Sequence, residues 1–130
     1  MNAKGPGHWY EMACRYDRAG EELKAEPCYR MVYRLCWRKL PAKERPGFFV
    51  GYGSTLRNNG KLALSARVLD EGVRRFPGYP ALKVFAALTA FSRKDYRKAA
   101  RLLFLSSVDM PEKAFDGYER AIAYYVSHLK

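Results

Sequence analysis

The chain has 130 residues, 48% of them hydrophobic, which is enough to bury one core and too apolar for intrinsic disorder. Lys and Arg number 24 against 13 Asp and Glu, a formal net charge of +11, so a partner met through charge would be acidic: nucleic acid, an anionic membrane surface or an acidic protein. No apolar run reaches the ~18 residues that span a bilayer, and Met1 to His8 lacks the apolar stretch of a secretory signal, which makes a cytoplasmic location the expectation.

Breakers then divide the chain in order. Gly5, Pro6 and Gly7 precede a helix predicted from about His8 to Arg18, which Gly20 ends. Glu26 and Pro27 open a second, since proline suits the first helical turn; Cys28, Met31, Val32, Leu35 and Cys36 form its apolar stripe, and Pro41 closes it. Pro46 starts a third helix to about Arg57, and Asn58-Asn59-Gly60 is a turn. Lys61 to Arg75 reads as a fourth, broken by Pro77-Gly78-Tyr79-Pro80. Ala81 to Phe91 is apolar around most of its circumference and should lie between neighbours. After the turn Ser92 to Lys94, Asp95 can cap a helix from Tyr96 to Leu105. Pro111 opens the last, to about Leu129. The expectation is an all-α fold of about seven helices.

The three cysteines, Cys14, Cys28 and Cys36, form no C-x-x-C pair, and His8 and His128 sit near opposite chain ends. Neither a disulfide framework nor a zinc pattern follows, and Cys28 and Cys36 read as small buried hydrophobes. No cofactor or metal site is expected.

A second order appears at a spacing of 34 residues. Pro77 falls on Pro111, Tyr52-Gly53 on Ala86-Ala87, and Ser65-x-x-x-Leu69 on Ala99-x-x-x-Leu103. Small residues at two fixed places and a closing proline, repeated near that period, read as stacked helical hairpins. Gly53 and Ala87 stand where the paired helix crosses closely, Ser65 and Ala99 are the reciprocal small residues, and Leu56, Leu69, Tyr96 and Leu103 fill the space between units.

On these residues the chain resembles the tetratricopeptide repeat family. Phe49, Tyr52-Gly53, Leu56, Ser65, Leu69, Gly72 and Pro77 match one repeat; Ala86-Ala87, Ala90, Asp95-Tyr96, Ala99, Leu103, Ser106 and Pro111 match the next. Two positions depart from the pattern: Lys83 stands where an aromatic is usual, and Ser106 replaces alanine. The resemblance implies a stack of antiparallel hairpins forming one domain over residues 1–130. Residues 8–41 would be a degenerate hairpin, 46–77 and 80–111 repeats, and 112–130 a capping helix. Pro41 lies 36 residues before Pro77, which puts the first hairpin out of register by two.

The resemblance also implies a function: binding another protein or peptide, as an adaptor, assembly factor or chaperone-like module. The family's concave positions fall on Val50, Ser54 and Arg57; on Ala81, Val84, Phe85, Leu88 and Phe91; and on Phe115, Tyr118, Glu119, Ile122 and Tyr125. Val50 and Ser54 stand where Lys and Asn would hold a C-terminal carboxylate, so that clamp is absent. The remaining groove is apolar and aromatic, suited to an amphipathic helix or an extended hydrophobic segment. It could equally be filled by the N-terminal hairpin or by a second copy of the chain.

Charge offers an alternative. Arg93, Lys94, Arg97, Lys98 and Arg101 cluster around one turn and helix, while Arg30, Arg34 and Arg38 recur every four residues beside Tyr29, Tyr33 and Trp37. Phosphate contact with base stacking would use such residues, and a solvated helix face would look the same. A self-associating homo-oligomeric module is the third reading. No enzyme is expected: the acidic pairs Glu21-Glu22 and Asp70-Glu71 face no nucleophile in sequence, Ser106-Ser107 has no local His, and no phosphate-binding loop occurs.

Overall fold

Each turn between paired helices is built in the same way, and that shared geometry sets the architecture. The computed structural model describes residues 4–109. Six α-helices follow in order: α1 (Pro6–Arg18), α2 (Glu22–Leu35), α3 (Arg45–Asn58), α4 (Leu62–Arg75), α5 (Pro80–Ser92) and α6 (Tyr96–Asp109). Two short 3-10 turns, Trp37–Lys39 and Ala42–Glu44, lie between α2 and α3. All regular elements among the described residues are helical. The expected seventh helix, from Pro111, falls outside them.

The helices pair as α1 with α2, α3 with α4, and α5 with α6, and the pairs stack in chain order. In the three turns Gly20, Gly60 and Lys94 take positive φ values of 74°, 83° and 64°. The next amide then reaches back five residues: Glu21 to the Tyr16 carbonyl, Lys61 to Leu56 and Asp95 to Ala90, at 2.8–2.9 Å. Glycine enters the left-handed region without strain, whereas Lys94 carries a side chain there at a cost of ~1 kcal/mol. Asp95 caps α6 through the Lys98 amide, 3.2 Å away, as its sequence position suggested.

Gly20 and Gly60 are 40 residues apart, Gly60 and Lys94 only 34. The first hairpin therefore keeps the register of the others with six residues inserted after it, and the offset of two read from Pro41 is corrected. The inserted stretch is a plug. Trp37 packs edge-on against Phe49 at 4.9 Å and Phe76 at 5.8 Å, and Leu40 is buried beside them. Helix α2 also starts earlier than expected, at Glu22, so Pro27 lies inside it rather than at its first turn. Proline removes the donor to the Leu23 carbonyl, but Leu23 is 80% exposed and water can serve that group. Cys36, with φ 89°, ends the helix, so Arg38 belongs to the 3-10 turn and not to a stripe with Arg30 and Arg34. Helix α6 runs past the expected Leu105 to Asp109.

Small residues sit where paired helices cross. Ala13, Gly53 and Ala87 on the first helices, and Ala25, Ser65 and Ala99 on the second, are all buried. A methyl group on Gly53 would overlap the Leu69 side chain, and one on Gly72 would come within 2.9 Å of Leu82 and Phe49. The Ser65 hydroxyl donates to the Gly53 carbonyl at 2.7 Å and lies 3.0 Å from the Thr89 hydroxyl, joining α3, α4 and α5. Thr55 is the counterpart of Thr89 one unit earlier, but Ala25 stands in place of Ser65, and the buried Thr55 Oγ1 has no partner among the described residues. Lys83, at the departure noted in the sequence, is buried with its ammonium on the Pro77 carbonyl at 3.0 Å.

A buried carboxylate links the first two hairpins. The carboxylate of Glu26, 4% exposed, accepts hydrogen bonds from Arg30, Lys61 and Asn59. Burial would raise its pKa, but the three donors outweigh that and hold it below the usual value.

Three outcomes test this packing. Gly53→Ala should destabilise the protein by ~1–3 kcal/mol in urea unfolding, because overlap with Leu69 outweighs alanine's better helix propensity; a stabilised variant contradicts the close crossing. Thr55→Val should raise stability by about 1 kcal/mol while Thr89→Val lowers it by a similar amount, since only Thr55 leaves a buried hydroxyl unsatisfied. Glu26 contributes stability above its unfolded pKa, near 4.5, that is lost as pH falls through its lower folded value. Unfolding free energy should therefore drop less between pH ~6 and ~3 in Glu26→Gln than in the wild type.

Candidate interaction surface

The first helices of the hairpins approach one another more closely than the second helices do. Helix α3 packs against both α1 and α5. Between the second helices the contacts are those of long side chains: Tyr33 with Glu71 at 2.6 Å, and Lys98 with Asp70 at 2.6 Å. The stack therefore bends toward α1, α3 and α5, which form its inner side.

The repeat register sets three rows on these helices: Tyr10, Cys14 and Asp17 on α1; Val50, Ser54 and Arg57 on α3; Val84, Leu88 and Phe91 on α5. Leu88 is 38% exposed, and the others are half-buried. Val50, Phe85 and Phe91 also pack against the core, and Ala81 is half-buried at the start of α5. Phe85 occupies a different row, in register with Gly51, whose absent side chain leaves room for the Tyr29 ring. Phe115, Tyr118, Glu119, Ile122 and Tyr125 fall outside the described residues.

The inner side changes chemistry along its length. At the α5 end it is apolar. In the middle, Arg57 Nε donates to the Ser92 hydroxyl at 3.3 Å. At the α1 end Tyr29 donates to Asp17 at 2.7 Å. Burial, reinforced by the neighbouring Cys14, raises the Tyr10 pKa. Burial, followed by the bond to Asp17, does the same for Tyr29. Burial also raises the Cys14 thiol, so this cysteine is protonated at neutral pH and is a poor nucleophile. No group of three or more His, Cys, Asp or Glu converges on a metal-sized space among the described residues.

The basic residues divide between two hairpins, with α4 between α2 and α6. Arg30 is held by Glu26 at 2.8 Å and Lys98 by Asp70. Arg38 lies over the Trp37 ring at 4.5 Å. Arg34, Arg93, Lys94, Arg97 and Arg101 are exposed. The structure thus groups the second set at the α5–α6 turn and α6, and does not bring the first set beside it.

Sequence reasoning missed an outer cleft of about 460 Å³ between α2 and the second hairpin, lined by Tyr33, Tyr52, Leu64, Arg67, Glu71 and Arg74. Its walls come from three different helices, with Tyr33 on α2, Tyr52 on α3 and the rest on α4, a grouping that local pattern does not reveal. No helix among the described residues is long and apolar enough to cross a membrane.

The sequence profile of the tetratrico peptide repeat matches residues 6–129. Comparison with curated proteins finds no match. The three hairpins, their shared turns and this match over nearly the whole chain place the protein in the tetratricopeptide repeat family, whose members are typically protein-interaction modules.

Proposed function

We propose that this protein is an adaptor that holds an apolar segment of another protein against its inner side, at the α5 end. The observation that carries this is Leu88: a large apolar side chain, 38% exposed, between half-buried Val84 and Phe91 in one row. Val50 extends the row onto α3, and an apolar strip of this kind suits one face of an amphipathic helix or an extended hydrophobic segment.

The exposed cations Arg93, Lys94, Arg97 and Arg101 support a second reading, contact with nucleic acid or another acidic surface. The two readings separate in one experiment. Leu88→Asp should abolish capture of the protein partner from nuclease-treated lysate of the source cells, with an unchanged thermal midpoint, because an anchor in a desolvated pocket contributes ~2 kcal/mol or more. Unfolding of the variant would make the row part of the core. Capture that survives the substitution would remove the inner side as the site. Capture lost on nuclease treatment alone would favour the basic face.

A further inference from the structure

The hairpins are equivalent, so what covers one can be compared with what covers the next. Each first helix turns a row of residues toward the second helix of the preceding hairpin. On α3 this row is Phe48, Tyr52 and Thr55, on α5 Leu82, Ala86 and Thr89, and all six are buried. Tyr29 and Tyr33 of α2 meet the α3 row through rings 6.0–6.3 Å apart. Ser65 of α4 meets Thr89 on the α5 row. The same row on α1 is His8, Met12 and Arg15, and no helix of the described residues lies over it: His8 and Met12 are half-buried and Arg15 is exposed.

Beside that row lies an open cleft of about 430 Å³ whose walls include Trp9, Met12, Tyr16, Leu23, Pro27 and Met31. It is the counterpart, one unit earlier, of the cleft that Tyr33 enters in the second hairpin: Met12 replaces Tyr52, Pro27 replaces Arg67 and Met31 replaces Glu71. These three replacements make the cleft more apolar, while the exposed Lys24 takes the place of Leu64. The outer face of this hairpin leaves Leu23 80% exposed beside a Trp, a Tyr and two Met.

We propose that the outer face of the first hairpin docks an amphipathic helix of another protein, lying as α2 lies on α3, with a carboxylate set against Arg15. The register dictates the pattern of that helix. Its counterparts of Ser65, Leu69 and Val73 fall at i, i+4 and i+8, so an acidic residue precedes two apolar or aromatic anchors. Arg15 stands where Thr89 receives Ser65, which sets the acid at the first place. A chain of net charge +11 repels its own copy and favours an acidic partner.

The test uses the full chain and a stapled helical peptide as long as α2, with Glu, Tyr and Tyr at i, i+4 and i+8, and a twin with Lys in place of Glu. Methyl NMR follows Met12 and Met31 during titration. The Glu peptide should shift both methyls and bind about three- to tenfold more tightly than its twin, and Arg15→Glu should reverse that order. Met31→Glu, which copies Glu71 of the second hairpin and so suits the fold, should weaken the Glu peptide at least about tenfold. The proposal is overturned if neither peptide moves these methyls, if Arg15→Glu leaves the preference unchanged, or if the shifts gather around Val84 and Leu88 instead. It is also overturned if sedimentation shows a dimer that Met31→Glu dissolves, because a second copy would then cover this face.

Discussion

Everything in this fold depends on two helices coming close enough that no side chain larger than a methyl or hydroxymethyl group fits between them. The close crossing recurs as Ala13 with Ala25, Gly53 with Ser65, and Ala87 with Ala99, all buried. Where backbones approach this closely, larger neighbours such as Leu69 can seal the crossing from the side, and a single added carbon displaces them. The left-handed turns at Gly20, Gly60 and Lys94 bring each pair into position for that contact.

The contact between hairpins is less uniform. Hairpins one and two meet through rings: Tyr10, Tyr29, Trp37, Phe48, Phe49 and Tyr52 pack largely edge-on or tilted, as ring quadrupoles favour. Hairpins two and three meet through aliphatic groups and the hydroxyl pair of Ser65 and Thr89. The six-residue insertion explains the difference, because Trp37 and Leu40 occupy volume that the shorter link after α4 does not supply. Glu26 then ties α2 to the α3–α4 turn from the outer side. The bend that brings α1, α3 and α5 together leaves one apolar row on the inner side, and a second apolar surface lies on the outer face of the first hairpin.

The second and third hairpins were legible because Gly53, Ala87, Ser65, Ala99 and the prolines keep a fixed spacing, and spacing is what helix crossing demands. The first hairpin was legible as helices but not as a repeat. Ala13 and Ala25 hold the same register positions and are both buried, yet the insertion moves them out of step, and Pro41, used as the marker, belongs to the plug rather than to the repeat. Pro27 misled because proline is usual in the first turn of a helix, whereas α2 begins five residues earlier at Glu22 and holds Pro27 inside it. Among the candidate site residues, Val84, Leu88 and Phe91 came from the resemblance, by carrying the family's concave offsets onto α5, where they share one row. Lys83, Glu26 and the outer cleft did not, because a buried charge is explained by partners such as Pro77, Asn59 and Lys61, which local pattern does not reveal.

One crossing geometry, set by small residues, holds all three hairpins. Methyl NOE spectroscopy on alanine-labelled protein measures it most directly. Cross-peaks should join Ala13 to Ala25 and Ala87 to Ala99 with similar intensity. An Ala87–Ala99 peak without an Ala13–Ala25 peak would mean that the first hairpin crosses elsewhere, and the shared register would be wrong.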